Sequence, residues 1–404
     1  MMPTQEAFAS STPKMATEPS SKLIFSLSAG AGLSVAAIYY NQPMIDNIGQ
    51  DFQSSVSATG LIPTLTQIGY ALGILFLIPL GDRFNRRHVI LTKGLLLALA
   101  LVMCSFMPTL NGMLVASLVI GVMATMAQDI VPTAAILAPD SQRGKVVGTV
   151  MTGLLIGILL SRVISGVVTE FVGWRVMYQA AAVSILAISM IIWRILPNMD
   201  THTDVGYLSL MRSLLTLWKR HPTLRRAATS QGLLSLGFSA FWSTLAVMLH
   251  QQYGLGSATA GAFGLAGAAG ALAAPLAGRI ADKQGPARVT QIGSALVAFS
   301  FALMFLMPYL SVNNQILLII ISAIGFDFGV QAVLVSHQTL VYGIDPTARG
   351  RLNAIFFTGM FIGMASGAAL GSQALMILGW SGVVALATIA GILSLIVRMT
   401  DRSS

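Results

Sequence analysis

Asp129, Arg162 and Asp327 each stand inside a long apolar run, and their side chains suit proton movement or ion recognition. An ionisable group is costly in hydrocarbon, so each must face a polar cavity or a partner. A carboxyl group held away from water binds its proton more firmly, which brings uptake and release toward neutral pH. Asp129 or Asp327 could therefore carry a proton. The competing reading is a neutral structural carboxyl group, hydrogen-bonded to its neighbours. Gln331 lies one helical turn from Asp327 on the same face. Gln128 adjoins Asp129, above Pro132, whose ring frees a backbone carbonyl. Arg162 could pair with Asp129, but their depths differ by about seven residues, roughly 10 Å at ~1.5 Å per residue, so a direct bridge is not expected. An anionic part of a bound molecule, the Tyr39 to Gln42 cluster and a purely structural role remain open for Arg162. Gln67, Tyr70, Phe241 and Trp242 could form an amphipathic pocket, although at least half of them are expected to be packing residues. Aromatic faces accept sugars and flat apolar compounds alike. His337 reads as a helix-end residue rather than a proton relay.

The elements that must hold these groups follow from composition. Of 404 residues, 55% are apolar or aromatic and only 9% are charged, against about 25% charged in a soluble domain. Mean hydropathy is +0.78. A soluble core cannot hide so much apolar surface, which excludes a disordered chain, a disulfide scaffold and an ordinary soluble enzyme. Runs near the ~20 residues that cross a bilayer occur twelve times, at 24–43, 58–80, 90–108, 111–136, 146–168, 176–196, 229–250, 258–278, 289–310, 314–340, 352–375 and 380–398. They are numbered here as spans 1 to 12. The alternating ten-residue segments of a membrane β-barrel are absent. The expected fold class is an all-α membrane protein. Residues 1–22 read as a disordered tail rather than a basic leader, and 399–404 as a second tail.

Lys and Arg fix the expected orientation. With the N-terminus inside, 21 of the 23 basic residues fall in cytoplasmic loops or tails. Arg83, Arg86, Arg87 and Lys93 are counted after span 2, and Arg143 and Lys145 after span 4. Arg175 alone falls in an outer loop, and Arg162 inside a span. Both termini are therefore expected in the cytoplasm. The net charge of +9 is spread over loops that meet anionic lipid, so nucleic acid is not an expected partner. Cys104 is expected to pack without a disulfide or metal role.

The longest hydrophilic interruption, 197–228, contains Leu208 to Arg220, apolar on one side and basic on the other. It reads as an amphipathic helix on the inner leaflet, joining a half of residues 23–196 to one of 229–398. The halves repeat each other. Arg143-Gly-Lys145, Thr152-Gly153-Leu-Leu-Ile-Gly157 and Gly173-Trp174 recur as Arg349-Gly-Arg351, Thr358-Gly359-Met-Phe-Ile-Gly363 and Gly379-Trp380, each 206 residues on. Parallel six-helix repeats with a cytoplasmic linker describe a rocker-switch secondary transporter.

At this point the chain resembles the major facilitator superfamily over essentially its whole length. The family's loop between spans 2 and 3 reads Gly-x-Leu-x-Asp-Arg-x-Gly-Arg-Arg; here it is Ile78-Pro-Leu80-Gly-Asp82-Arg83-Phe-Asn85-Arg86-Arg87. Ile78 and Asn85 replace the two glycines. A second copy runs Gly278-Arg-Ile-Ala-Asp282-Lys283-Gln-Gly285, with Arg288 beyond. Span 5 resembles the family's antiporter motif at Gly148, Gly157 and Gly166, but Ser161, Arg162 and Ser165 depart from it. Span 4 carries Ser117 where many proton-coupled exporters carry Arg. With Tyr39-Tyr-Asn-Gln-Pro43, the general look is similar to the bacterial arabinose-efflux and drug-efflux branch.

The resemblance implies twelve helices in two six-helix pseudo-repeat halves, spans 1, 4, 7 and 10 around a central path, and a bacterial inner-membrane location. It places Asp129, Asp327, Arg162, Gln67, Tyr70, Trp242 and Gln331 on or near that path. It also implies a cytoplasmic gate of Asp82, Arg83, Arg86, Arg87, Asp282 and Lys283. In that gate Asp82 would meet the start of span 11 near Gly350 and Arg351, and Asp282 the start of span 5 near Gly144 and Lys145, a carboxylate being favoured at a helix N-terminus. The chain has no phosphate-binding loop, no His-Glu-x-x-His motif and no defensible nucleophile–base pair, so neither catalysis nor a cofactor is expected. The leading expectation is a monomer that exports a small sugar or drug-like molecule in exchange for protons, with membrane lipid as solvent. Uptake by proton symport is the alternative, and a receptor or scaffold built on this fold is the rival from another class.

Overall fold

The computed structural model describes residues 19–139, 141–199, 206–267, 280, 285–345 and 348–400, and of Asp82 the backbone. Among the described residues there is no strand. Among the described residues, ten helical stretches are long and apolar enough to cross a bilayer. The last, Arg349–Met399, is two spans in one stretch, broken at Gly379 where φ is 67° and ψ −161°. Span 8 is described only over its first part, the helix Ser257–Ala262 and the 3-10 turn Phe263–Gly267. The expected all-α membrane fold is therefore present, and the part of the sequence-read span 8 from 268 to 278 lies outside the described residues.

Most helices run past the apolar limits read from the sequence. Span 7 spans Pro222–Tyr253 rather than 229–250. Pro222 occupies the first turn, where its missing N–H costs nothing, and the helix carries Arg225 and Arg226 beyond the hydrocarbon zone. Hydropathy marks how much helix lipid covers, not where the hydrogen-bond ladder stops.

Two spans are broken where the chemistry lies. Span 1 consists of Ser21–Ala36 and Asn41–Asp51 with a turn between them. Pro43 has no N–H to give to the Tyr39 carbonyl, so the ladder cannot continue unbroken through Tyr39–Pro43. Span 4 consists of Leu110–Ala124 and Met126–Leu137, parted at Thr125. Breaks at membrane depth are tolerated where protein surrounds them, and both are buried here.

Repeated glycines set the packing within each half. A Cβ on Gly157 of span 5 would collide with the backbone of Gly32 in span 1, and one on Gly363 of span 11 with Gly232 in span 7. The same kind of glycine-to-glycine contact thus joins the corresponding spans of both halves, with the span 5 and span 11 glycines at the repeat offset. One apolar cluster joins spans 1 to 6 and takes in Ala354, Phe361 and Met364 of span 11; another joins spans 7 to 12 and takes in Ile45 of span 1. Each core is completed by the opposite half.

The linker helix Tyr207–Arg220 presses Leu214 and Leu217 onto Leu224, Val341, Leu352 and Phe356, leaving Leu208, Leu215 and Trp218 exposed. Its end of the bundle is called the linker face. At the opposite face the halves are clasped together. Ser257 Oγ donates to the Gly166 carbonyl at 3.0 Å, and the Ala258 N–H donates to Glu170 Oε2 at 2.7 Å. His250 Nδ1 lies 2.9 Å from Asp46 Oδ2, and a Cβ on Gly60 would strike Ser372.

Candidate functional site

Arg162, Trp242 and Asp327, from spans 5, 7 and 10, meet at the junction of the halves. Arg162 is 3% exposed, and its Nε donates to Gln42 Oε1 at 2.7 Å. Its guanidinium lies 4.5 Å from the Trp242 ring centroid, 4.9 Å from that of Tyr39 and 5.7 Å from that of Phe238. Gly264 of span 8 makes room for its stem: a Cβ there would stand 2.9 Å from Arg162 Cβ. The break in span 1 brings Tyr39 and Gln42 to this point. Of the roles open to Arg162, contact with the Tyr39 to Gln42 cluster is the one seen.

Asp327 is 4% exposed. Phe326 beside it stacks on Phe301 at 4.5 Å and packs against Phe241 at 4.8 Å, which fixes this turn of span 10. Asp327 and Arg162 act on each other electrostatically, and Tyr39 feels both. They do not form a direct ion pair. The Trp242 indole N–H is turned toward the Asp327 carboxylate, whereas Arg162 Nη2, Gln42 Nε2, Gln67 Nε2 and Asn41 Oδ1 lack a hydrogen-bond partner. A buried polar atom left unpaired costs about 1–3 kcal/mol, so these four are a substantial local penalty. A polar solute with oxygens and hydroxyl or amide groups could satisfy them.

The other pocket candidates divide. Gln67 Oε1 accepts from Ser239 across the halves at 3.2 Å. The Tyr70 hydroxyl accepts from Gln128 at 3.1 Å, and its ring lies 4.4 Å from that of Phe361. Phe241 is buried among Phe301, Phe326 and Trp380 as a packing residue. Gln331 is half-buried one turn beyond Asp327.

Asp129 belongs to a different site. Lys93 Nζ donates to its Oδ2 at 2.5 Å, with Lys93 4% and Asp129 1% exposed. This corrects the placement of Lys93 among the loop cations: it lies two turns inside the helix Arg86–Phe106, beyond the reach of loop water. The sequence did carry a signal, since residue 93 falls within the apolar run 90–108. A Cβ on Gly81 would stand 3.0 Å from Asp129 Oδ1 and 4.0 Å from Arg86 Nη1, so the start of the gate loop lies against this pair.

Of the gate residues, Arg83 is exposed beside the Phe84 ring, and Arg86 is buried. Arg87 donates to Asn198 Oδ1 of the linker segment at 3.1 Å and to the Trp193 carbonyl of its own half at 2.5 Å, and, among the described residues, to nothing in the opposite half. The Asp82 side chain, Asp282 and Lys283 lie outside the described residues. His337 is fully buried, with Nδ1 3.1 Å from Gln231 Oε1, not a solvated helix end. Among the described residues no group of three or more His, Cys, Asp or Glu is placed to hold a metal ion.

Comparison with known proteins agrees with this architecture. The family model described as Major Facilitator Superfamily matches residues 27–343. The "Uncharacterized transporter YgaY" of Escherichia coli is 37% identical over 375 residues, 92% of this chain and 94% of that one. A "Probable sugar efflux transporter" of Pasteurella multocida is 24% identical over 336 residues, covering 82% of this chain and 80% of its own length. The crystal structure of the nucleoside transporter NupG superposes with a TM-score of 0.78 at 12% identity, covering 93% of this chain and 99% of that one. The chain is a multi-pass membrane protein that belongs to the Major Facilitator Superfamily of transporters.

Proposed function

We propose that this protein is a proton-coupled secondary transporter of a small organic molecule, working by alternating access, with Asp327 as the carboxylate that carries the proton. The observation that carries this reading is the central junction itself. A buried carboxylate faces a buried guanidinium from the opposite half without bonding to it, and unpaired polar atoms surround both. Such a pair changes its charge balance when one proton arrives. It also lies where the halves must part and rejoin.

Export in exchange for protons, the leading expectation of the sequence, is supported by the sugar-efflux name of one relative. Uptake by symport is the second reading, favoured by Arg162 standing beside Asp327 where the antiporter motif would have proline. The linker face is the cytoplasmic one in this reading, since Arg83, Arg86, Arg87, Arg143 and Arg212 gather there. The membrane is then a bacterial inner membrane, the working unit a monomer, and residues 197–228 the tether between halves. Asp82 and Asp282 would latch the linker face when it closes.

Everted vesicles carrying the protein, energised and loaded with a quenched pH-sensitive dye, test the coupling. Sugars, organic acids and cationic drugs are added one at a time to wild type, Asp327→Asn and Asp129→Asn. A compound that moves protons in wild type but not in Asp327→Asn supports the assignment, and the sign of the movement separates antiport from symport. Equal responses from wild type and Asp327→Asn would remove Asp327 from the mechanism.

A further inference from the structure

We propose that the transported solute is an organic anion whose carboxylate, or an equivalent acidic group, seats on the Arg162 guanidinium at the centre of the molecule. The inference rests on the central junction being the transport site and adds the chemical class of what it carries.

Arg162 is built as a receptor. Its Nε is held by Gln42, its face is fixed by Tyr39, Phe238 and Trp242, and Nη2 remains unpaired. A planar guanidinium so positioned matches a carboxylate in geometry as well as charge. The nearby atoms without partners are weighted toward donors: Gln42 Nε2 and Gln67 Nε2 join Arg162 Nη2, against the single acceptor Asn41 Oδ1. Oxygen-rich anions satisfy such a set. A cation would have to enter beside a buried guanidinium that already occupies the aromatic faces, and like charges repel strongly at low dielectric.

Asp327 sets the condition for entry. While ionised, it supplies the counter-charge that Arg162 feels; once protonated, it leaves that guanidinium unmatched and open to an anion. Among the described residues, Arg162 and Tyr39 are the titratable groups that interact with Asp327, and residues 268–278 of span 8 contain no ionisable side chain. Proton and anion therefore bind together, each raising the affinity for the other by the same factor. Bound together they cross together, so this inference selects the second reading, symport, over exchange, with the proton gradient setting its direction.

The test uses the full-length protein in detergent, with formate, acetate and benzoate as probes and ethylammonium and benzylammonium as their cationic counterparts. Binding is read by titration calorimetry and thermal unfolding at pH 5.5 and 8. Carboxylates should bind wild type at least about fivefold more tightly at the lower pH, within the usual range of coupling between sites. Asp327→Asn should bind them at both pH values, and Arg162→Gln at neither. Arg162→Lys, which keeps the charge without the fork, should bind more weakly than wild type and thereby separates lost recognition from lost folding. The proposal is overturned if the amines bind in place of the carboxylates, or if Arg162→Gln binds carboxylates like wild type. It is also overturned if even formate leaves Asp327→Asn unaffected, because that variant has removed the competing counter-charge. Carboxylate binding that needs Arg162 yet ignores pH would retain the anion and reject Asp327 as the proton carrier, so the two readings fail separately.

Discussion

Asp129 and Asp327 look alike in sequence, each a single carboxylate in a span facing the path, yet their neighbours differ. Asp129 has an ammonium in hydrogen-bond contact, whereas Asp327 faces a guanidinium it does not touch. Replacing Lys93 by Met removes the ammonium from a buried pair, a change worth about 3–5 kcal/mol. The unfolding midpoint of Lys93→Met in detergent should fall accordingly, and the double variant Lys93→Met/Asp129→Leu should recover most of the loss. Recovery no better than the single variant would mean that the pair does more than neutralise itself. In the vesicle assay Asp129→Asn should keep substrate-dependent proton movement, whereas Asp327→Asn should lose it. Residue identity was legible at both positions; the partner was not. Sequence spacing gives depth along a helix, but the direction a side chain faces depends on how helices are rotated against one another. Rotation therefore hid the Lys93 to Asp129 pairing, while the depth of Lys93, inside the apolar run 90–108, was readable.

At the scale of helices, much more was readable, because spans obey the thickness of hydrocarbon and turns obey φ. The Gly-Trp pairs at 173–174 and 379–380 each mark the corner after a long helix, and the glycines have φ of 104° and 67°. At positive φ with extended ψ a residue with a Cβ is strained by about 1–3 kcal/mol, so Gly379→Ala should lower stability by that amount while Ser381→Ala, exposed two residues beyond the corner, should not. The repeated Thr-Gly-x-x-x-Gly motif forecast close helix contact, and its second glycines are where two backbones touch. Gly157→Ala and Gly363→Ala should each cost about 1–3 kcal/mol by overpacking. Matching losses in thermal unfolding would show that the halves use the contact equally; no loss in either would mean the spans can slide apart without penalty. The breaks in spans 1 and 4 were less legible. Pro43 was visible, but its effect depends on buried neighbours that satisfy the freed carbonyls, and those come from other spans.

For the whole molecule, the face opposite the linker is closed, and alternating access requires that this closure be opened in every cycle. The clasp is built to be opened. Its polar contacts are few, and although the Ser257 bond to Gly166 is buried, the Ala258 N–H to Glu170 bond is exposed, so a single contact does not lock the state. A hydrogen bond of this kind is worth about 1 kcal/mol, roughly fivefold in population. Glu170→Gln should therefore shift the balance toward the state open at this face by up to that factor. Ser257 offers the reporter: it is 6% exposed and bonded to Gly166 across the halves, while Cys104, the chain's single cysteine, is buried. In Ser257→Cys, a membrane-impermeant maleimide applied to intact cells should react slowly, and several times faster when Glu170→Gln is added. Labelling from the outside would also place this face outward and the linker face in the cytoplasm. If Glu170→Gln left the rate unchanged, the clasp would be a consequence of the packed glycines around Gly166 and Gly261 rather than a contributor to closure. Widening the gap at Gly261 would then be the way to bias the cycle, because a Cβ there would collide with the Arg162 carbonyl and wedge the two halves apart.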